Sequence, residues 1–330
     1  MAEYLINATD LTKVASAIRE KGGTSASLVY PTGFVSAIQA IQTGAPFQII
    51  VTTSAGATVT ATKDSKTVSG TADTNGECIL TVTEVGTWTV TATLASSTNT
   101  ADVVVGAANV DMIMSDPVFG NNSWAAIIKA CQEKQVPDTW KVGDSCNMTI
   151  NNKTYAIDII GKNHDDYADG SGKAPITFQL HDCYADKKAM NSSNTNSGGW
   201  TSCDMRQTHL PAILALMPTE VQNGIREVNK LTSAGSQSAT INTTADKLFL
   251  LSEVEIFGST TYSAAGEGTQ YDYYKAGNSK VKKRSGSATN WRERAPSASD
   301  SASFCRVSSG GIAGSGNASI AYGVAFGFCF

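Results

Sequence analysis

Three histidines, His164, His181 and His209, lie far apart in the chain, and no serine or cysteine stands beside them in a known nucleophile context. They are expected to pack or to support other residues rather than to shuttle protons. The seven cysteines (Cys78, Cys131, Cys146, Cys183, Cys203, Cys305 and Cys329) are odd in number, scattered and free of any CxxC pair. That spacing gives neither a zinc site nor a full disulfide framework, so reduced thiols are expected. Asp165, Asp166 and Asp169 share a loop and are the candidate Ca²⁺ ligands. They lack the alternate-position spacing of an EF-hand, so a solvated turn without metal is the leading expectation. Lys280-Val281-Lys282-Lys283-Arg284 is a basic run without interleaved aromatics, which reads as a solvated loop rather than a nucleic-acid patch. What remains is binding chemistry, carried by Tyr, Trp and Arg, the residue types that dominate interfaces.

The elements that must position such residues fall into three pieces. At 330 residues the chain suits two or three domains. Charged residues make up 16%, against roughly 25% in ordinary globular chains. The net charge of −4 gives no reason to expect nucleic acid or an anionic membrane as partner. No stretch approaches the ~18 apolar residues of a membrane span, and Met1-Ala2-Glu3-Tyr4 lacks the start of a signal peptide, so cytoplasmic synthesis without membrane insertion is expected. Residues 1–45 read as a small helical segment. Asp10 is placed to cap a helix with Leu11, Val14, Ala15 and Ile18 on one face, and Phe34, Val35, Ile38 and Ile41 form a second short run. Residues 46–106 switch to a period of two in Ile49–Val51, Ala57–Ala61, Cys78–Val82 and Trp88–Ala92, punctuated by Gly56, Asn75-Gly76 and Gly86, which predicts an all-β sandwich around Trp88. Residues 107–330 hold four of the five tryptophans. Helices are expected at Ser123–Lys134, capped by Asn122 or Ser123, and at Leu210–Val228, broken at Pro218. Strands are expected at Ser145–Ile150, Lys153–Gly161, Ile176–Leu180, Lys247–Leu251, Phe304–Val307 and Gly323–Phe330. The fold class is therefore α+β, with long ordered loops.

Three stretches resemble known families. Asp10-Leu11, Ala17–Thr24 and Tyr30–Ile38 are similar to a segment at the start of phage tail-associated proteins. Val59–Ala61, Thr71–Asp73, Gly76–Cys78 and Gly86–Val90 resemble bacterial and phage Ig-like repeats. Ile159–Asp166, Ile176–Phe178, Trp200, Cys203, Arg206, Leu210-Pro211, Lys247–Ser252, Tyr271–Tyr274, Asn290–Pro296, Phe304–Val307 and Gly323–Phe328 resemble the C-type lectin-fold domain of diversity-generating retroelement variable proteins, especially of gut phages.

That last resemblance implies a virion protein of the phage tail that binds a receptor for host attachment through a hypervariable ligand-binding surface, rewritten by a retroelement near residues 285–322. It implies a bacterial cell-surface protein or glycan as ligand, other phage tail proteins as partners, a homo-oligomer with a trimer favoured, no cofactor and no catalysis. The variable, ligand-binding residues it implies are Arg292, Glu293, Ser297, Ser299, Ser301, Ser303, Arg306, Ser308, Ile312, Ser315, Ile320, Ala321 and Tyr322, with supporting contacts from Tyr273, Tyr274 and Trp291. The alternatives are a structural tail or baseplate component and a formylglycine-generating-type oxidase of the same fold. That oxidase needs a close pair of reactive cysteines, and Cys305 and Cys329 sit in apolar strand contexts where thiols are usually inert. Gly323–Phe330 is expected to be a buried apolar strand that anchors the displayed loops, with roughly 1.5–3 kcal/mol from each buried aromatic or aliphatic side chain.

Overall fold

Residues 8–22, 27–35, 46–106 and 109–330 are described by the computed structural model. The chain divides into two compact units, Met1–Met114 and Ser115–Phe330.

In the first unit, helix α1 runs Ala8–Gly22, so Asp10 lies inside the first turn rather than capping it. Ala15 and Ile18 are buried with Phe34, and Leu11 and Leu28 pack on them. Val14 and Val35, expected on the apolar faces, are exposed, and Ile38 and Ile41 fall outside the described residues. The sandwich that follows has seven strands: β1 (Phe47–Thr52), β2 (Thr58–Lys63), β3 (Lys66–Thr71), β4 (Glu77–Val82), β5 (Gly86–Leu94), β6 (Ser97–Val105) and β7 (Val110–Ile113). They form two sheets, ordered β4-β1-β7 and β3-β2-β5-β6. Alternate residues such as Val59, Ala61, Leu80, Val82, Trp88 and Val90 fill the space between them. The sandwich ends at Met114 rather than at residue 106. β7 adds to β1 in parallel, Ile49 opposite Val110, and Met114 enters the core.

The second unit is mixed α+β, and so is the molecule as a whole. Its central antiparallel sheet has the order β18-β10-β9-β8, from β8 (Ser145–Ile150), β9 (Lys153–Lys162), β10 (Ile176–Leu180) and β18 (Gly327–Cys329). Helix α2 (Trp124–Gln132) covers it; Ser123, not Asn122, is its cap, accepting from the Ala126 N–H. Trp124 lies 5.8 Å from Phe178 and 5.9 Å from Phe330, ring centre to ring centre, so the last residues of the chain close the core. The expected long helix at Leu210–Val228 is two short ones, Leu210–Leu214 and Thr219–Gly224, after a π-helical turn at Met205–His209, and Val228 opens a strand.

Two hairpins, β11 (Val228–Ser233) with β12 (Ile241–Asp246) and β13 (Lys282–Arg284) with β14 (Ser287–Thr289), flank a three-stranded sheet of β15 (Trp291–Pro296), β16 (Ser303–Val307) and β17 (Ala313–Asn317). Lys247–Leu251 forms no strand: Lys247 is exposed, and Leu248–Leu251 are buried. Phe249 exchanges two backbone hydrogen bonds with Gly327, while the carbonyls of Leu250 and Leu251 accept from Arg294. Gly323–Phe330 is buried throughout, as expected, yet only Gly327–Cys329, toward its end, is a regular strand. Val324 and Phe326 carbonyls instead accept from Tyr184 and Leu180.

Candidate functional site

The sheet β15-β16-β17 and the segments after it carry the residues expected to meet a ligand, and they separate into two classes. Trp291, Phe304, Cys305, Val307, Ala318 and Val324–Phe326 are fully buried. Between them Ser299, Ser301, Ile312, Ile320 and Ala321 face solvent, Ile312 at 69% exposure and Ile320 at 44%. Arg306, Ser308, Ser315 and Tyr322 are half-buried.

Four residues expected at the surface are inside. Arg292 is 0% exposed, and its guanidinium donates to the carbonyls of Gly316 (2.9 Å), Asn317 (2.5 Å) and Ile320 (2.6 Å). Glu293 is equally buried, and neither carboxylate oxygen has a partner. Burial, reinforced by Glu253 and Glu267, pushes its carboxyl well above the usual range, in the direction that favours the neutral acid. Ser297 and Ser303 are buried where the loop closes, the Ser297 N–H donating to the Ser303 carbonyl. The resemblance implied display for Arg292 and Glu293, but an interior can hold a guanidinium that collects backbone carbonyls, or a carboxyl that favours its neutral form. Tyr273, Tyr274 and Trp291 are also interior. Tyr274 donates to Gln179 (2.6 Å) and the Trp291 indole to the Lys280 carbonyl (3.0 Å), so they brace the face from below and do not reach a ligand.

What fixes the exposed segments is bonding through their backbone. Asn196, fully buried, donates from its side chain to the carbonyls of Asp300 and Ser303 (each 2.8 Å), and its N–H donates to Ser301 (2.7 Å). Its own side-chain oxygen accepts from Ser236. Asn290 accepts from the Ser309 N–H, Asn194 accepts from the N–H and hydroxyl of Ser319, and Arg292 gathers the Gly316–Ile320 turn. Sequence reasoning missed Asn194, Asn196 and Asn290 as positioning residues. Their partners are remote in sequence, and a polar loop carries no periodic signal.

The other chemical candidates are spent elsewhere. The Asp165 carboxylate is taken by Lys230 (2.7 Å), Thr177 (2.6 Å) and the Tyr271 hydroxyl. Asp166 pairs with Lys173 and Asp169 with Arg226. The three acids therefore do not converge, and among the described residues no three His, Cys, Asp or Glu groups are placed to hold a metal. The histidines are not core residues. His164 stacks on Tyr271 at 4.0 Å, His181 is exposed and bonded to Asp158 (2.8 Å), which pushes it up, and His209 is half-buried, which lowers it. All seven cysteines are buried and free. Burial pushes Cys146 to about 11, Cys183 and Cys203 to about 12, and Cys305 and Cys329 well above the ordinary thiol value, opposite to what a nucleophile needs. Within the basic run, Lys282 is no solvated residue. It is buried against Trp291 and donates to the carbonyls of Leu180 and His181.

A cleft of about 240 Å³ holds the Arg206–Asp246 ion pair, and one of about 510 Å³ is lined by Lys134, Lys162 and Lys173. Neither is lined by a residue of the loop face.

Residues 176–329 are similar to DUF6273, a domain family of unknown function. The matched segment opens on β10 and closes on β18, two strands that pair with each other, and it contains the whole loop face. Among curated proteins nothing matches the chain.

Proposed function

We propose that this chain is a receptor-binding protein of a phage tail, with a C-type lectin-fold C-terminal unit that displays a face diversified by a retroelement, and an Ig-like sandwich as spacer. One observation carries the reading. The exposed segments of residues 297–322 are held mainly by hydrogen bonds to their main chain, with Asn194, Asn196, Asn290 and Arg292 as partners; among the side chains they show, Asp300, Ser308 and Ser319 add bonds, while Ser301, Ile312, Ile320 and Ala321 add none. A surface built this way tolerates exchange of its displayed residues, because the frame makes no demand on their identity. Buried thiols without a low-pKa environment and acids committed to internal partners favour binding over catalysis. Multiple copies on a particle would turn weak individual contacts into avidity.

The test is in the neighbouring DNA and in the gene's natural variation. A near-copy of the gene's 3′ segment that differs at adenines, beside a reverse-transcriptase gene, is expected. Substitutions among natural isolates should fall on Ser299, Ser301, Arg306, Ile312, Ile320 and Ala321 and spare Trp291, Phe304 and Val324–Phe330. Changes spread evenly over both classes would overturn the proposal.

A further inference from the structure

Arg306, Tyr322 and Arg292 form a stack at the edge of the displayed face. The Arg292 guanidinium lies 4.4 Å from the centre of the Tyr322 ring and that of Arg306 lies 5.6 Å from it. Two glycines of β17 make room for the stack. A Cβ on Gly314 would meet the Arg306 guanidinium at 3.4 Å, and one on Gly316 would meet the Tyr322 ring at 2.9 Å, closer than real Cβ atoms come. Arg306 stands opposite Gly314 and Arg292 opposite Arg306 in the strand register, so the three charged and aromatic groups share one side of the sheet.

The charge of this stack is uncompensated. Among the described residues neither guanidinium has a carboxylate within ion-pair distance. Arg306 spends its Nε on the Ser315 carbonyl, and its buried Nη1 finds no acceptor; the Nε of Arg292 finds none either. The neighbouring Glu293 carboxyl bonds to neither guanidinium, and burial pushes its titration well up. Burial lowers Arg292 to about 10, with the charge of Arg306 acting in the same direction. Two like charges without a counter-ion, beside donors without acceptors, cost the folded protein free energy that an oxyanion at the rim would return.

We propose that Arg306, over Tyr322 and Arg292, is an anion-binding subsite, and that the receptor is an acidic surface polysaccharide whose carboxylate or phosphate groups seat there. This deepens the proposed function and rests on it. A glycan is favoured over an acidic protein because the exposed side chains of the displayed segments include the hydroxyl and amide groups of Ser299, Ser301, Ser309, Asn317 and Ser319, which suit a polyhydroxylated ligand. Arg306 is the contact, and Arg292, fully buried, is a positioning residue that holds the 316–320 turn and adds its charge.

The full chain is tested against surfaces coated with polygalacturonate, poly(glycerol phosphate), polyglutamate and neutral dextran. Binding to one or both acidic carbohydrate polymers, little to dextran, and loss of binding as NaCl is raised are expected. Arg306→Gln should weaken binding about tenfold or more, the equivalent of ~1.4 kcal/mol, with a melting temperature no lower than that of the wild type. Arg306→Lys should recover part of it, since the charge returns without the bidentate fork. Equal binding to dextran, no binding to any polyanion, or an Arg306→Gln chain as tight as the wild type would overturn the proposal. Preference for polyglutamate over both carbohydrates would overturn its glycan half. The two readings fail separately. If particles bearing Arg306→Gln adsorb normally to cells and polyanions do not compete, the anion subsite falls while display stands. If the displayed positions do not vary, display falls whatever the polymers do.

Discussion

On the exposed face of the sandwich, hydroxyls pair across strands: Thr91 with Thr100 at 3.1 Å, Thr93 with Thr98 at 3.3 Å, and Thr89 donates to Asp102 at 2.7 Å. Its interior is aliphatic apart from Trp88, Cys78, Met114 and a few hydroxyl-bearing residues near the end of β1. Among the described residues, every buried charged side chain lies in the other unit. There Lys230, 2% exposed, bridges Asp165 (2.7 Å) and Glu255 (2.8 Å), and Arg294 grips Glu255 with two nitrogens. The contrast follows from backbone accounting. Strands in a ladder satisfy each other, whereas irregular segments leave carbonyls that need donors from elsewhere. Arg294 supplies them to Leu231, Leu250 and Glu267, Arg292 to the 316–320 turn, and Lys282 to Leu180 and His181. A unit that carries exposed irregular loops pays with buried cations.

The contrast can be broken most directly at Arg294. Arg294→Ala leaves Glu255 without its bidentate partner and orphans three carbonyls, so the C-terminal unit should lose about 3–5 kcal/mol. Trp88→Ala should cost the sandwich about 3–5 kcal/mol through lost burial and the cavity left behind. Calorimetry on the full chain should show each substitution moving a different transition. A single transition that shifts equally for both would mean that the two units do not melt independently.

Acidification separates the units by sign. Burial raises Glu267 to about 7 and Glu293 further, so the folded unit holds protons that the unfolded chain releases above about pH 4.5. Each raised carboxyl therefore lowers stability as pH climbs from 4.5 to its folded value, and returning from pH 7 to 5 should stabilise the C-terminal unit by up to a few kcal/mol. His181, raised by Asp158, acts in the same direction. In the sandwich, Asp73 is lowered by backbone hydrogen bonds from Glu77 and Asn75, and Glu84 by Lys66 and Lys63, so both lose their contribution only in stronger acid. Its transition should stay level over the same range. Glu293→Gln should flatten the response of the C-terminal unit; an unchanged slope would remove Glu293 from the account.

Much of the frame was legible, because apolar periodicity reports it. β8 and β10 match their expected limits, Ser123 caps α2, and the terminal Phe328 and Phe330 are buried. β3 and β6 escaped notice because most of their residues are threonine, serine or other small polar types, and the apolar ones, Val68 in β3 and Val103 and Val105 at the end of β6, are too few to mark the inner face. β15 was hidden by Arg292-Glu293-Arg294, which looks like a solvated strip. Its burial depends on Leu231, Leu250 and Glu255, dozens of residues upstream, and on the 316–320 turn. Of the expected face, the positions without internal partners were legible, since nothing in the fold claims them.

The smallest expected effect is also the one that most sharpens the comparison. Replacing Ser299, Ser301, Ile312, Ile320 and Ala321 together should change stability by no more than about 0.5 kcal/mol per site, the range of ordinary surface substitutions. Their side chains face solvent, and only Ser299 makes a side-chain hydrogen bond, a long one of 3.5 Å with Ser297. Asn196→Ala sets the scale beside it. It removes a buried donor from the carbonyls of Asp300 and Ser303 and an acceptor from the Ser236 N–H, for about 1–3 kcal/mol. One alanine that costs more than any single exchanged loop residue is what a backbone-held face requires. The reverse order would mean that the displayed side chains are packing residues after all, and that the unit's buried polar pins hold less of it than its loops do.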